Sequence, residues 1–566
     1  MALPFNINLK HFVIVQDGFQ SLVVTSPDHE GFHEIFIIQK VKICRPQLQD
    51  TIMKWLTRCF PNFDYRIAIL LGIAFLSLFP LLGAAPLFDE DEGFYAESSR
   101  EMIESGNYLT AHINGAAQYD KPILIYWLQA ASFRIFGQNE FAARFPSAVA
   151  TFLWMLAIYS FTRRHLGLQS GFLASLFFIS AVQITITGKA AIVDPALNLF
   201  LTQCLFHLYE YTQNRKNRIY TAAMYAGLGF LAKGPVAVVI PFGVSLIYCL
   251  MQKQFRLWLK MVFNLPAILI FIAIALPWYV LEYRDQGMIF IQDFFLKHNL
   301  ERFSRTFEGH SGSLFYYIPV IIIGTLPHCG LLFAVIRQAR SLLKQDVYRF
   351  CFIWVGFVLI LFSFGSTKLP HYILSAFPPL FILYGAVYER LVRLRSYLLP
   401  AVVFLGIFLV LPLAIPLVIP YVRDNFAACM MGAGHPLFGA GYYLFCGILT
   451  VSVALLFFAR QSVLMRPAIV VSCAYLLLVN LVLMPRIGAL MQSPVREAAM
   501  IASQLPERPV MWGHTLPSFM FYSHKLVQMR LPVSGDLLIT KKTHLAEVGP
   551  YETLYEKNCI VLARIL

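Results

Sequence analysis

Tyr397-Leu-Leu-Pro-Ala-Val-Val-Phe-Leu-Gly-Ile-Phe-Leu-Val-Leu-Pro-Leu-Ala-Ile-Pro-Leu-Val-Ile-Pro420 is a run of 24 residues without a charged side chain. At a helical rise of about 1.5 Å per residue it reaches about 36 Å, enough to cross a hydrocarbon core of about 30 Å. Such a segment belongs in lipid. It is also typical of the chain, which is 58% hydrophobic and 13% charged over 566 residues, with a mean hydropathy of +0.64. Soluble domains hold about 45–50% apolar and about 25% charged residues. Apolar runs recur at about 66–86, 141–162, 170–187, 191–211, 219–233, 235–251, 262–281, 313–336, 350–366, 371–388, 397–420, 438–459 and 467–485. The expected fold is therefore an all-α polytopic membrane protein of about 13 transmembrane helices.

The net charge of +14 has no basic stripe interleaved with aromatics outside the apolar runs, so no nucleic-acid partner is expected. Topology accounts for it. With the chain before Arg66 in the cytoplasm, alternate loops carry Arg163 and Arg164; Arg215, Lys216 and Arg218; Lys253, Arg256 and Lys260; Arg337, Arg340, Lys344 and Arg349; Arg390, Arg393 and Arg395; Arg460 and Arg466. This is the positive-inside pattern, and it leaves the C-terminal segment outside.

Residues 1–52 mix charges with short β-like runs and read as an N-terminal extension, either dispensable or the product of a misplaced start, because Met53, Lys54 and Arg58 make a conventional start ahead of the first span. Residues 53–490 then form the membrane domain, with long outer loops at 87–140 and 282–312. In the first loop, Gly93 to Ser105 reads as a short helix and Pro122 to Phe136 as an aromatic-rich helix lying in the interface plane. From residue 491 to 566 the composition turns mixed. Pro509 to Trp512, Leu526 to Met529, Asp536 to Thr540 and Cys559 to Ile565 read as short strands of a small outer α/β domain. The ten cysteines show no CxxC spacing and fall mostly in apolar runs, so they read as core residues and not as a disulfide framework or a zinc site.

Chemistry is sought where the ionisable residues break the topology rule. Lys121, Lys189, Lys233, Lys297, Arg302, Lys368 and His371 all fall on outer loops or the outer ends of spans. Cations held near membrane depth are expensive and need an anion, and a lipid phosphate is the anion at hand. Interfacial snorkelling explains any one of them equally well. The acidic run Asp89, Glu90, Asp91 and Glu92 precedes the first loop helix. Carboxylates there cap a helix, but four exceed what a cap requires, so at least one is a candidate general base. Asp194, at the outer start of the fourth span, is either a partner for a nearby lysine or a second acid in the same cavity.

These stretches carry a resemblance. Leu87-Phe-Asp-Glu-Asp-Glu-Gly-Phe-Tyr-Ala-Glu97, Arg100 to Met102, Asn114-Gly115, Tyr119-Asp-Lys-Pro122, Tyr126-Trp127 and Phe141 to Ser147 resemble the first outer loop of the aminoarabinose-transferase family. Those are integral membrane glycosyltransferases of the GT-C class, related to protein O-mannosyltransferases. Further on, Ala232-Lys-Gly-Pro235, His298 to Phe303, His310 with Gly312, Tyr316-Tyr317 and Ser366 to Tyr372 resemble the later motifs, in family order.

The resemblance implies an undecaprenyl-phosphate-linked sugar as donor and lipid A or another envelope glycan as acceptor, at the periplasmic face of a bacterial inner membrane. It maps the catalytic aspartate onto Asp91, with Glu92 and Asp194 as further acids. Lys121, Lys233, Arg302, Lys368 and His371 are then expected around the donor phosphate, and Tyr95, Tyr119, His298, Tyr317 and Tyr372 around the substrates. Glu92 and Asp120 are acids able to bind a divalent metal, although nothing has the spacing of a dedicated site. Two departures bear on specificity. Phe94 stands where the family commonly has Arg, removing a cation, and Asp120 stands where it has Glu, shortening the carboxylate's reach. The competing reading is a lipid-linked sugar transporter or flippase, which predicts internal repeats and helices broken near the midplane. A structural membrane protein leaves the charged outer loops without a purpose. A monomer is expected.

Overall fold

The computed structural model describes residues 65–301, 304–305, 311–391, 394–458 and 465–566. The expected N-terminal extension lies outside them, as do Arg302 and His310. Among the described residues seven helices are long and apolar enough to cross a membrane: Glu140–Leu166, Leu265–Gln286, Asp346–Phe364, Pro370–Tyr388, Arg395–Tyr421, Ala440–Phe458 and Met465–Met491. Leu168–Ser180 and Val182–Gly188 make an eighth span if taken together, bent by 66°. The bend has a local cause, since Ala181 leaves the helical region (φ −67°, ψ 134°) and the next amide, Val182 N, donates to Leu326 O instead. The other apolar runs are helical too: Asp194–Thr212 is as long as several of the spans but less apolar, and Tyr65–Leu78, Arg218–Lys233 and Val236–Met251 are shorter. The run at 313–336 is split into Tyr317–Gly324 and Gly330–Leu342; Pro327 lies in the gap, where it lacks an amide proton and bars its predecessor from the helix.

The helix quoted first is the one most turned to lipid. Leu399, Val403, Ile407, Val410, Leu413 and Leu417 on Arg395–Tyr421 are all exposed, which in water would be an aggregation-prone face.

In the first outer loop, helices Asp91–Ser105 and Leu124–Phe136 flank a hairpin of β1 (Ala111–Ile113) and β2 (Ala116–Gln118). Asn114 and Gly115, with φ of 55° and 75°, are the pair that a two-residue hairpin turn with positive φ selects. At the C-terminal end, β3 (Pro509–Met511), β4 (Gln528–Met529), β5 (Leu537–Lys541), β6 (Tyr551–Lys557) and β7 (Ile560–Ile565) form one sheet in the order β4-β3-β5-β7-β6. β3 runs parallel to β4 and β5, and β7 antiparallel to β5 and β6. The four expected strands are present. β6 is additional, and its Glu552, Glu556 and Lys557 mark the charged edge that keeps a sheet from pairing onward.

The loop and the C-terminal sheet form one body. Asn114 exchanges two hydrogen bonds with Val527 (2.7 and 2.8 Å). Leu87 N donates to the Tyr522 hydroxyl at 2.8 Å, and Ser518 N donates to Asp89 at 2.8 Å. Gly93 allows this approach, because a Cβ there would lie 2.4 Å from Ser518 N.

One expectation is corrected. Cys429 and Cys559 form a disulfide, with Cα atoms 6.3 Å apart, whereas Cys204, Cys249, Cys329, Cys351 and Cys446 are buried free thiols. The two that pair lie outside the apolar runs, in the short helix Asn425–Gly434 and in the β6–β7 turn, so a rule drawn from span cysteines did not apply to them.

Candidate active site

The site grows from the ends of three helical segments and one strand. Asp194 opens the Asp194–Thr212 helix with Pro195 behind it, a pairing suited to a helix start. Lys233 closes the neighbouring Arg218–Lys233 helix; the chain then turns at Gly234 (φ +74°), where a side chain would meet the Phe294 ring at 2.7 Å. Packed side by side, the two helices bring Lys233 Nζ to 2.7 Å from Asp194 Oδ1. His371 and Tyr372 come from the turn of helix Pro370–Ala376, and Lys233 lies 5.7 Å from the centre of the Tyr372 ring. Asp120 and Lys121 follow β2, their charged atoms 4.0 Å apart.

These groups line a cavity of about 480 Å³. Its polar head holds Asp120, Lys121, Asp194, Lys233, His298 and His371, and its other walls are Leu197, Leu201, Val236, Val239, Ile240 and Leu361. The shape is a charged head, with Lys121 and Lys233 beside Asp120 and Asp194, on an apolar trough. Asp91 stands exposed in the first turn of the Asp91–Ser105 helix, within electrostatic reach of His371 together with Asp194, Lys233 and Lys121.

Not every expected residue arrives there. Glu92 is buried against Arg144 in a two-pronged ion pair of 2.7 and 2.8 Å, and it also accepts from Phe88 N (2.8 Å) and Ala191 N (2.6 Å). With four donors on two oxygens it is a strut, not a group available to substrate. Lys368 is turned away as well, its ammonium donating to Ser363 O and Gly365 O, both at 2.7 Å, at the C-terminal end of the Asp346–Phe364 helix. Lys189 donates to Pro80 O and Asn480 Oδ1, and Lys297 pairs with Asp293 at 3.6 Å.

Three expected aromatics sit away from the cavity lining. Tyr95 packs on Tyr126 at 5.7 Å, Tyr119 donates to Gln286 at 2.6 Å, and Tyr317 is buried beside Tyr316 and Phe362. His298 and Tyr372 do line the cavity, as do Asn198, Asn299 and Ser375, which were not expected. Asn198 was legible in principle, because Asp194, Asn198 and Leu201 follow the helical spacing of one face. Its Oδ1 is buried and accepts no hydrogen bond among the described residues.

Two acids of the first outer loop are held in unusual states. Burial pushes the Asp89 carboxyl up to about 7, against the hydrogen bonds from Ser518. Burial likewise pushes Glu97 up to about 7, against its bidentate pairing with Arg100. Among the described residues no three His, Cys, Asp or Glu side chains converge as metal ligands. Asp120, the candidate ligand, has Lys121 as its charged neighbour.

Comparison with known proteins bears out the resemblance. Residues 120–280 match the family model described as dolichyl-phosphate-mannose-protein mannosyltransferase. The chain is 34% identical over 342 residues to the undecaprenyl phosphate-alpha-4-amino-4-deoxy-L-arabinose arabinosyl transferase 2 of Proteus mirabilis, covering 58% of this chain and 61% of that protein. It is 31% identical over 334 residues to the corresponding transferase of Edwardsiella ictaluri, covering 58% and 59%. The match thus spans about three fifths of these relatives' length. The crystal structure of ArnT from Cupriavidus metallidurans bound to undecaprenyl phosphate has the same fold, with a TM-score of 0.74 at 21% identity over 88% of this chain and 97% of that one.

Proposed function

We propose that this chain is an integral membrane glycosyltransferase that moves aminoarabinose or a related sugar from undecaprenyl phosphate to lipid A or another envelope acceptor. The reaction takes place at the periplasmic face of the bacterial inner membrane. The observation that carries this reading is the joining of Lys121, Lys233 and His371 at the head of an apolar trough between membrane helices. Similarity to undecaprenyl-phosphate aminoarabinose transferases supports it from sequence. The transport reading is weaker, because the charged head sits at one end of the Asp194–Thr212 helix and not at its middle.

In the proposed reaction an acceptor oxygen attacks the anomeric carbon, the carbon–oxygen bond to the lipid phosphate breaks, and the bond's electrons leave on that phosphate. Lys121, Lys233 and His371 hold the phosphate where its charge grows, the electrostatic term that often dominates such steps. Arg302, carried by the family motif, joins them in this reading, and Asp194 fixes Lys233 in place. Asp91, exposed at its helix start, takes the proton of a hydroxyl acceptor. A phosphate acceptor, already an anion, needs Asp91 only for orientation. His298 and Tyr372 flank the sugar, and the unsatisfied Asn198 Oδ1 accepts from one of its hydroxyls. Phe94, in place of the family's arginine, points to an acceptor less anionic than that of the aminoarabinose enzymes. The test is transfer by the purified full chain of radiolabelled sugar from a synthetic polyprenyl phosphate carrier to extracted envelope lipid. Label in the acceptor supports the reading, whereas donor that is bound but never consumed across a panel of acceptors refutes it.

A further inference from the structure

The end of the helix bundle opposite this cavity carries a second charged site. Glu210 lies 16 residues after Asp194 on the same helix, about 24 Å away along the axis, and it is fully buried. Arg164 pairs with its Oε1, Arg218 Nε lies 2.7 Å from Oε2, and Arg215 lies 3.6 Å from Oε1. Three arginines thus share one carboxylate, with Arg163 and Lys216 next to them in sequence. Of the other acids at this end, Asp346 lies 3.6 Å from Arg349, and Glu389 accepts from Ser170. The cluster keeps an uncompensated positive charge.

Beside it opens a cavity of about 370 Å³, with Arg164, Gln203, His207 and Glu210 itself at its polar side and Leu153, Leu156 and Phe200 along its apolar side. Leu153 is 45% exposed on the outer surface of the bundle. An apolar groove on a membrane protein's flank that ends in surplus arginines has the form of a headgroup site, since basic recesses between membrane helices hold anionic lipid heads. Guanidinium forks suit phosphate oxygens. We infer that this groove holds an anionic phospholipid, its phosphate on Arg164, drawn there by the surplus charge of Arg215 and Arg218 around Glu210, and an acyl chain along Leu153 and Leu156. The site is separate from the proposed donor cavity.

The test is native mass spectrometry of the full chain, with melting in nanodiscs of phosphatidylcholine alone or mixed with phosphatidylglycerol. The wild type is expected to retain phosphatidylglycerol selectively and to melt higher in its presence. The R215Q/R218Q variant is expected to hold it roughly 30-fold more weakly, the ratio two surface cations carry, and to lose the difference in melting. L153W, which fills the groove while leaving the cations, is expected to lose retention too, and it decides the matter alone if the double variant does not fold. Equal retention of both lipids by the wild type, or undiminished retention in a folded variant, overturns the inference. So does displacement of the bound lipid by inorganic phosphate alone, or by polyprenyl phosphate in preference to phosphatidylglycerol.

Discussion

Glu92→Gln separates two neighbouring carboxylates that sequence alone cannot rank. The change keeps the shape and removes the charge, leaving the buried Arg144 guanidinium without its counter-ion. Breaking one side of a buried ion pair costs about 3–5 kcal/mol. Arg144 keeps its bonds to Leu82 O, Ala85 O and Pro86 O, which hold the loss near the lower end. Against this, the amide at 92 has one oxygen where the carboxylate served four donors, and an orphaned buried amide costs about 1–3 kcal/mol more. A loss of about 4–6 kcal/mol is expected, read as a lower melting temperature and a lower denaturant midpoint in detergent. Asp91→Asn, one residue earlier but exposed and without such partners, is expected to melt like the wild type and to lose about 10²–10⁴ in turnover with a hydroxyl acceptor. A Glu92→Gln protein that melts normally but is inactive refutes the assignment of Glu92 to the scaffold.

Lys233→Ala is expected to weaken donor binding by 2 kcal/mol or more, about 30-fold, because Asp194 is left buried beside the site without its cation; equilibrium binding of labelled polyprenyl phosphate checks it. Asp89 and Glu97, both raised to about 7, bind protons in the folded chain that the unfolded chain has released. Stability should therefore fall as pH rises from about 4 to about 7 and level off above, and D89N should flatten the melting profile over that range. Cys429→Ser removes a cross-link over 130 residues and should cost about 2–4 kcal/mol, matched by adding reductant to the wild type. Gly93→Ala forces Ser518 away from Asp89 and should cost about 1–3 kcal/mol, with protease sensitivity appearing in the C-terminal sheet.

The membrane class of the fold was legible because an uncharged run such as 397–420 has one physical solution. Span limits were less so: a run of apolar residues does not reveal that Ala181 turns out of its helix or that Pro327 splits another. The first-loop hairpin was announced by Asn114-Gly115 and the last one by Asn558-Cys559, whose residues both have positive φ. In the site, topology singled out Lys121, Lys233 and His371, which share the cavity, but it gave equal standing to Lys368, and the acidic run gave Glu92 equal standing with Asp91. Those two differ only in what they touch, the carbonyls of a helix end and Arg144, and contacts of that range leave no mark on local sequence.

The most direct test of the central claim is mass spectrometry of envelope lipids and glycans from cells with the gene, without it, and complemented with Asp91→Asn. The account predicts one sugar-sized mass that disappears on deletion, returns with the wild-type gene and does not return with Asp91→Asn, although that variant accumulates in the membrane. An unchanged profile in cells shown to make the protein, or full restoration by Asp91→Asn, contradicts it.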